Sequence, residues 1–112
     1  MATTTPKVLI PSKIMESAQT TQYTAVGVKT YIDKFTMTNT SGANATFNVC
    51  LVTSAGAPAA SNTIVINKTL VPNESYLGSE LVGQVLEPGD YISTSGTASA
   101  LTMRACGREI SQ

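Results

Sequence analysis

No histidine and no tryptophan occur in these 112 residues, charged side chains make up only 12 % and aromatics 5 %. Each scarcity excludes something. Without histidine the chain lacks the usual general base and the commonest ligand of catalytic metal centres. Without tryptophan, a sugar-binding platform would rest on Tyr23, Tyr31, Tyr76, Tyr91, Phe35 and Phe47, and Phe47 fits a core face better. The seven basic residues, Lys7, Lys13, Lys29, Lys34, Lys68, Arg104 and Arg108, form no dense run. The basic stripe with which a nucleic-acid binder displaces counterions is missing, so no direct nucleic-acid contact is expected. No apolar run approaches the length of a bilayer span, and MATTTPKVLI offers no charged region ahead of a long apolar core. The expectation is therefore a protein made in a cytoplasm, with no membrane partner.

Chemistry is equally sparse. Cys50 and Cys106 read as free, half-buried structural thiols in a reducing compartment, since a disulfide requires neighbouring strands that the sequence does not reveal. The carboxylates are Glu16, Asp33, Glu74, Glu80, Glu87, Asp90 and Glu109. None forms the Asp-rich run of a calcium loop, and Glu87 and Asp90 flank a turn that they are suited to hold. Sequons beginning at Asn39, Asn44, Asn67 and Asn73 are ordinary in so Asn-, Thr- and Ser-rich a chain. We expect no enzyme, no cofactor and no metal.

What the chain does have is alternation. Ala45, Phe47, Val49 and Leu51 point one way and Thr46, Asn48 and Cys50 the other, as on a strand with one face on a core. The stretch Val28 to Val52 reads as two long strands joined by the turn Asn39–Asn44. Ile32 and Phe35 break the alternation around Asp33 and Lys34, which a β-bulge would reconcile. Strands are also expected at Thr20–Val26, from Ile64 toward Pro72, within Tyr76–Val85 with interruptions at Gly78 and Gly83, at Tyr91–Ser95 and at Ala100–Ile110. Ser12–Gln19 fits a short helix capped by Ser12 and carrying Ile14 and Met15, or, on the alternation of Ile14, Glu16 and Ala18, a strand, which is preferred. Glu87-Pro88-Gly89-Asp90 has the residues of a type II turn, and Ser54–Ser61 reads as an exposed loop. Serine and threonine, about a quarter of the chain, suit strand surfaces. Hydrophobic residues at 42 % suffice for one core. The fold expected is all-β: an antiparallel β-sandwich or jelly roll of about seven to nine short strands.

Residues 1–12 read as an extended N-terminal arm ahead of a single domain at 13–112, because Pro6 and Pro11 bracket the apolar tetrad Lys7-Val8-Leu9-Ile10. Two readings stand for it: an edge strand on its own domain, or a segment taken up by a neighbour's sheet. Lys7, Val8, Leu9, Ile10, Ile14 and Met15 are the candidate partner-binding residues.

The order of motifs also matters. Met37-Thr38-Asn39-Thr40-Ser41 is followed by Thr46-Phe47-Asn48-Val49-Cys50-Leu51-Val52, then Ala59-Ala60-Ser61-Asn62-Thr63-Ile64, then Leu86-Glu87-Pro88-Gly89-Asp90-Tyr91-Ile92, and finally Gly107-Arg108-Glu109-Ile110. Over Thr24 to Ser111 this succession resembles the small β-sandwich virion proteins of tailed bacteriophages. The nearest comparison is with the head decoration or cement proteins of Epsilon15-like short-tailed phages. The resemblance implies a noncatalytic structural protein on the capsid surface, whose partner is the major capsid protein of a repeated shell. It implies a homo-oligomer as well, a dimer ahead of a trimer. A tail or collar accessory protein, or a fibre adaptor, is the alternative, with a receptor- or glycan-binding module behind it.

Overall fold

Strand-forming sequence fills this chain so densely that nine strands leave room for one 3-10 turn, Ala60–Asn62, and no α-helix among the residues described. The computed structural model describes residues 3–111; Met1 and Ala2 of the expected arm, and Gln112, lie outside them. In chain order the strands are β1 (Thr3–Ile14), β2 (Thr20–Thr24), β3 (Val28–Asn39), β4 (Ala45–Val52), β5 (Thr63–Leu70), β6 (Ser75–Tyr76), β7 (Val85–Leu86), β8 (Tyr91–Gly96) and β9 (Leu101–Ser111). They form two antiparallel sheets. Sheet A runs β1-β9-β3-β6, with β7 also pairing β3, and sheet B runs β2-β8-β4-β5. The expected all-β sandwich is what the chain forms.

Packing follows from the alternation. Ile32, Phe35, Met37, Leu101, Met103 and Ala105 from sheet A meet Phe47, Val49, Val65, Leu70 and Ile92 from sheet B, all buried. The bulge expected in β3 is present as a register shift against β9 between Ile32 and Lys34, and it lets Ile32 and Phe35 both reach the core. At Glu87–Asp90 the Asp90 amide donates to the Glu87 carbonyl at 2.9 Å, and Gly89 takes φ 95°, as a type II turn requires. The Asp90 carboxylate accepts from the backbone amides of Glu87 and Ser54 at 3.0 Å each, so it holds the turn. Between β6 and β7 the interruptions expected at Gly78 and Gly83 are present. Tyr76–Val85 holds no continuous strand, because Gly78 and Gly83 adopt positive φ and fold the segment back, burying Leu81 and donating the Gly83 amide to the Ile32 carbonyl.

The two long strands expected in Val28–Val52 are β3 and β4, and their connection is instructive. The two strands are consecutive and joined by a short turn, yet they lie in opposite sheets, so the turn arches across the sandwich. Asn39 makes the arch. Its buried side-chain amide donates to the carbonyls of Ala43 and Leu70, both at 2.8 Å, and its oxygen accepts from the amide and hydroxyl of Ser41. The sequon at Asn39 thus has its amide fully engaged inside the fold.

The N-terminal segment is part of the domain. β1 pairs with β9 from Thr3↔Ser111 to Ile14↔Thr102, on both sides of the expected boundary at residue 12. Register shifts between Val8 and Ile10, and between Ile10 and Lys13, turn the successive residues Leu9 and Ile10 both inward. Proline is tolerated in β1 because the strand is at the sheet's edge, with the nitrogen of Pro6 facing away from the ladder. The same proline removes a donor from the free edge and so discourages a further strand there.

Candidate interaction surface

Three of the six residues assigned to the arm are unavailable for contact. Leu9, Ile10 and Met15 are 4 %, 1 % and 1 % exposed and belong to the core. Lys7, Val8 and Ile14 remain at the surface, and Lys7 pairs with Glu109 at 3.2 Å.

Topology does to the charges what the linear sequence conceals. All seven lysines and arginines sit on strands, six of them on β1, β3 and β9, which are adjacent in sheet A although distant in the chain. Sheet B carries only Lys68, on β5. Five of the seven carboxylates, Glu16, Glu74, Glu80, Glu87 and Asp90, lie in the connections. Because Thr30, Ile32, Phe35 and Met37 are buried, their alternates on β3 face outward with the residues opposite them. The outer face of sheet A therefore shows the rows Pro6–Arg108–Tyr31, Val8–Cys106–Lys34 and Arg104–Thr36.

Two cations on this face are neutralised and two are not. The Arg108 guanidinium grips Asp33 through Nε and Nη2, at 3.0 to 3.3 Å, and lies 5.1 Å from the centre of the Tyr31 ring. That carboxylate holds the Arg108 pKa above its ordinary value. Lys29 reaches Glu87 at 3.7 Å. Lys34 has no carboxylate within ion-pair distance among the described residues, and Arg104 bonds only the Ser12 hydroxyl, at 3.2 Å. Between β1, β9 and β3 lies a shallow depression of about 370 Å³, lined by Pro6, Lys7, Val8, Asp33, Cys106 and Gly107. The outer face of sheet B is different. Thr21, Thr46, Asn48 and Ser95 give it hydroxyls and amides, and the segment after β4 folds over it, with the Tyr91 hydroxyl donating to the Gly56 carbonyl at 2.7 Å. On the same sheet Cys50 and Ser93 are buried, Cys50 beside the Thr63 hydroxyl and Ser93 accepting from the Gln19 amide at 2.8 Å.

The cysteines are both free, and they lie on different sheets. Among the described residues no three of the His, Cys, Asp or Glu side chains converge as a metal site would require. The polar clusters that do exist tie elements together. Tyr23 of sheet B bonds Thr30 at 2.8 Å and also donates to Glu109 of sheet A, which in turn holds Lys7. Burial, reinforced by the Glu109 carboxylate, pushes the Tyr23 phenol up to about 12. Tyr76 likewise donates to Glu80, and burial raises its pKa further still. Sequence reasoning missed the Tyr23–Glu109 tie because it joins residues eighty-six apart that only the sandwich brings together; the Tyr76–Glu80 bond is local, set by the backward fold of the segment after β6.

Glu16 anchors the β1–β2 connection. It accepts from Lys13 at 2.8 Å and Gln22 at 2.9 Å, and those bonds take its carboxyl from 4.5 down to about 2. A depressed folded pKa means that the stabilisation is complete above pH 4.5 and is lost as pH falls toward 2. The pair is solvent-exposed, so the loss is expected to be no more than about 1 kcal/mol. Denaturant unfolding followed across that window should show a steeper decline for the wild type than for Glu16→Gln. Equal declines would mean that the Lys13–Glu16–Gln22 cluster does not persist in solution.

Compared with protein-family models, curated proteins and solved structures, the chain matches none.

Proposed function

We propose that this protein is a noncatalytic phage virion component, a decoration or cement protein that binds the outside of the capsid and staples neighbouring major capsid proteins. The observation that carries this reading is the order of motifs from Met37 to Ile110, which folds as strands and turns of one two-sheet sandwich, as the resemblance implies. The physics supports it. A buried core spanning two sheets supplies a rigid plate of 49 × 26 × 19 Å. A surface of hydroxyls and amides with zero formal net charge tolerates close packing beside copies of itself. Binding repeated sites on a shell lets modest contacts add through multivalency.

The test is removal. Heads assembled without the protein should disrupt at milder heat or chelation than complete heads, and adding purified protein back should restore resistance. Heads that survive equally well without it would end the stapling role. Copy number separates the shell from the tail: a shell offers hundreds of sites, whereas a tail ring offers roughly a dozen or fewer.

A further inference from the structure

We infer that the outer face of sheet A is the docking surface, and that its occupant is a protein surface presenting carboxylates to Lys34 and Arg104 beside an apolar side chain that enters the depression between β1, β9 and β3. This rests on the capsid reading for the identity of the partner, though not for its chemistry.

Three observations converge. The first is the gathering of cations: β1, β3 and β9 bring Lys29, Lys34, Arg104 and Arg108 to one face, while the strands of sheet B carry Lys68 alone. The second is that this face is only half compensated. Asp33 and Glu87 answer Arg108 and Lys29, whereas Lys34 and Arg104 flank Cys106 with no carboxylate in reach among the described residues. Uncompensated charge at diagonal positions of a rigid sheet costs some self-repulsion, which an incoming carboxylate relieves. The third is apolar ground beside the charge: Val8 and Ile14 are 39 % and 49 % exposed, and Pro6, Val8 and Gly107 help line the depression. Apolar contact rimmed by ion pairs is how specific protein interfaces are built.

A nucleic-acid backbone fits less well. Strong phosphate binding uses about six to ten contacts, and here two cations are free. The size of the face adds a constraint. Three strands about 4.8 Å apart and about 35 Å long present roughly 500 Å², below the ~800 Å² per partner of a standard stable interface. One copy should therefore bind weakly, and salt should weaken it further, because attraction between exposed charges is screened.

The experiment compares wild type with Lys34→Glu/Arg104→Glu and with Thr21→Glu/Thr46→Glu, which puts the same kind of charge on sheet B. Binding to heads lacking the protein is measured by co-sedimentation at low and high salt. The sheet A variant should bind at least tenfold more weakly than wild type, the sheet B variant should bind normally, and high salt should narrow the difference. If the sheet A variant binds like wild type, or both variants lose equally, this face is not the docking surface even though capsid binding stands. If wild type does not bind heads at all, the capsid reading falls and the surface is judged separately, by amide chemical shifts during titration with a poly-glutamate peptide. Shifts centred on Val8, Lys34, Arg104 and Cys106 support the assignment; shifts on sheet B, or none, overturn it. A DNA duplex that moves those same amides at lower concentration than poly-glutamate would overturn the assignment to a protein partner.

Discussion

Gly107→Ala is expected to destabilise the protein by about 3 kcal/mol, through one methyl group placed where the two longest ladders meet. Gly107 sits in β9, opposite Lys7 on one side and Ile32 on the other. A Cβ there would stand 2.0 Å from the Tyr31 carbonyl oxygen, 3.1 Å from the carbon behind it and 2.9 Å from Cδ1 of Leu9. The leucine tip can rotate away. The carbonyl belongs to the backbone of β3 beside its bulge, and moving it means opening the β3–β9 ladder. Overpacking costs about 1–3 kcal/mol, and a disrupted ladder hydrogen bond adds about 1 kcal/mol. In a domain of this size that corresponds to a fall in Tm of about 12 °C. Gly42→Ala is the control, because a Cβ at Gly42 meets nothing within 4 Å, and it should stay within about 0.5 kcal/mol of wild type. A Gly107→Ala protein that unfolds within about 1 kcal/mol of wild type would contradict the close approach of β9 and β3.

Phe47→Ala should cost about 4 kcal/mol, the range for emptying a phenylalanine site in a closed core. Phe47 is fully buried on β4, and its ring meets Tyr76 edge-on with centroids 5.3 Å apart. Tyr76 comes from the other sheet, on a strand only two residues long. Truncating Phe47 therefore leaves a cavity and also loosens a strand that β3 holds through only two residue pairs. Amide exchange at Leu81 and Gly83 should rise more than exchange in β9. Phe47→Leu keeps most of the volume and should cost about 1.5 kcal/mol or less. Equal losses for the two variants would show that the ring does not fill the space between the sheets.

These effects mark where sequence and fold part company. Alternation in Ala45 to Leu51 and in Leu101 to Ala105 reports which face is buried, because that depends only on the pleat. It carries no information about which strand lies alongside. β3 and β4 look like a hairpin in the chain, and the side chain of one residue, Asn39, bonded to Ala43, Ser41 and the distant Leu70, turns them into an arch between sheets. The proline-bracketed segment is legible as extended, but the shifts that bury both Leu9 and Ile10 arise only from pairing with β9. The charge pattern is the extreme case. Lys34 and Arg104 are seventy residues apart in the numbering and unremarkable where they stand, and they share a face because β9 inserts beside β3.

That insertion also governs how the protein comes into being. β9 is the last strand in chain order, yet it lies between β1, the first, and β3. A ribosome delivering this chain releases β1 before the other eight strands, and its ladder partner β9 follows all of them, so sheet A cannot close progressively as it is made. Folding must wait for a strand of maximal sequence separation, the kind of topology that folds in milliseconds to seconds rather than microseconds. During that interval the core residues Leu9 and Ile10 stand exposed, and the edge proline at Pro6 is then of most use, keeping nascent neighbours from pairing with one another.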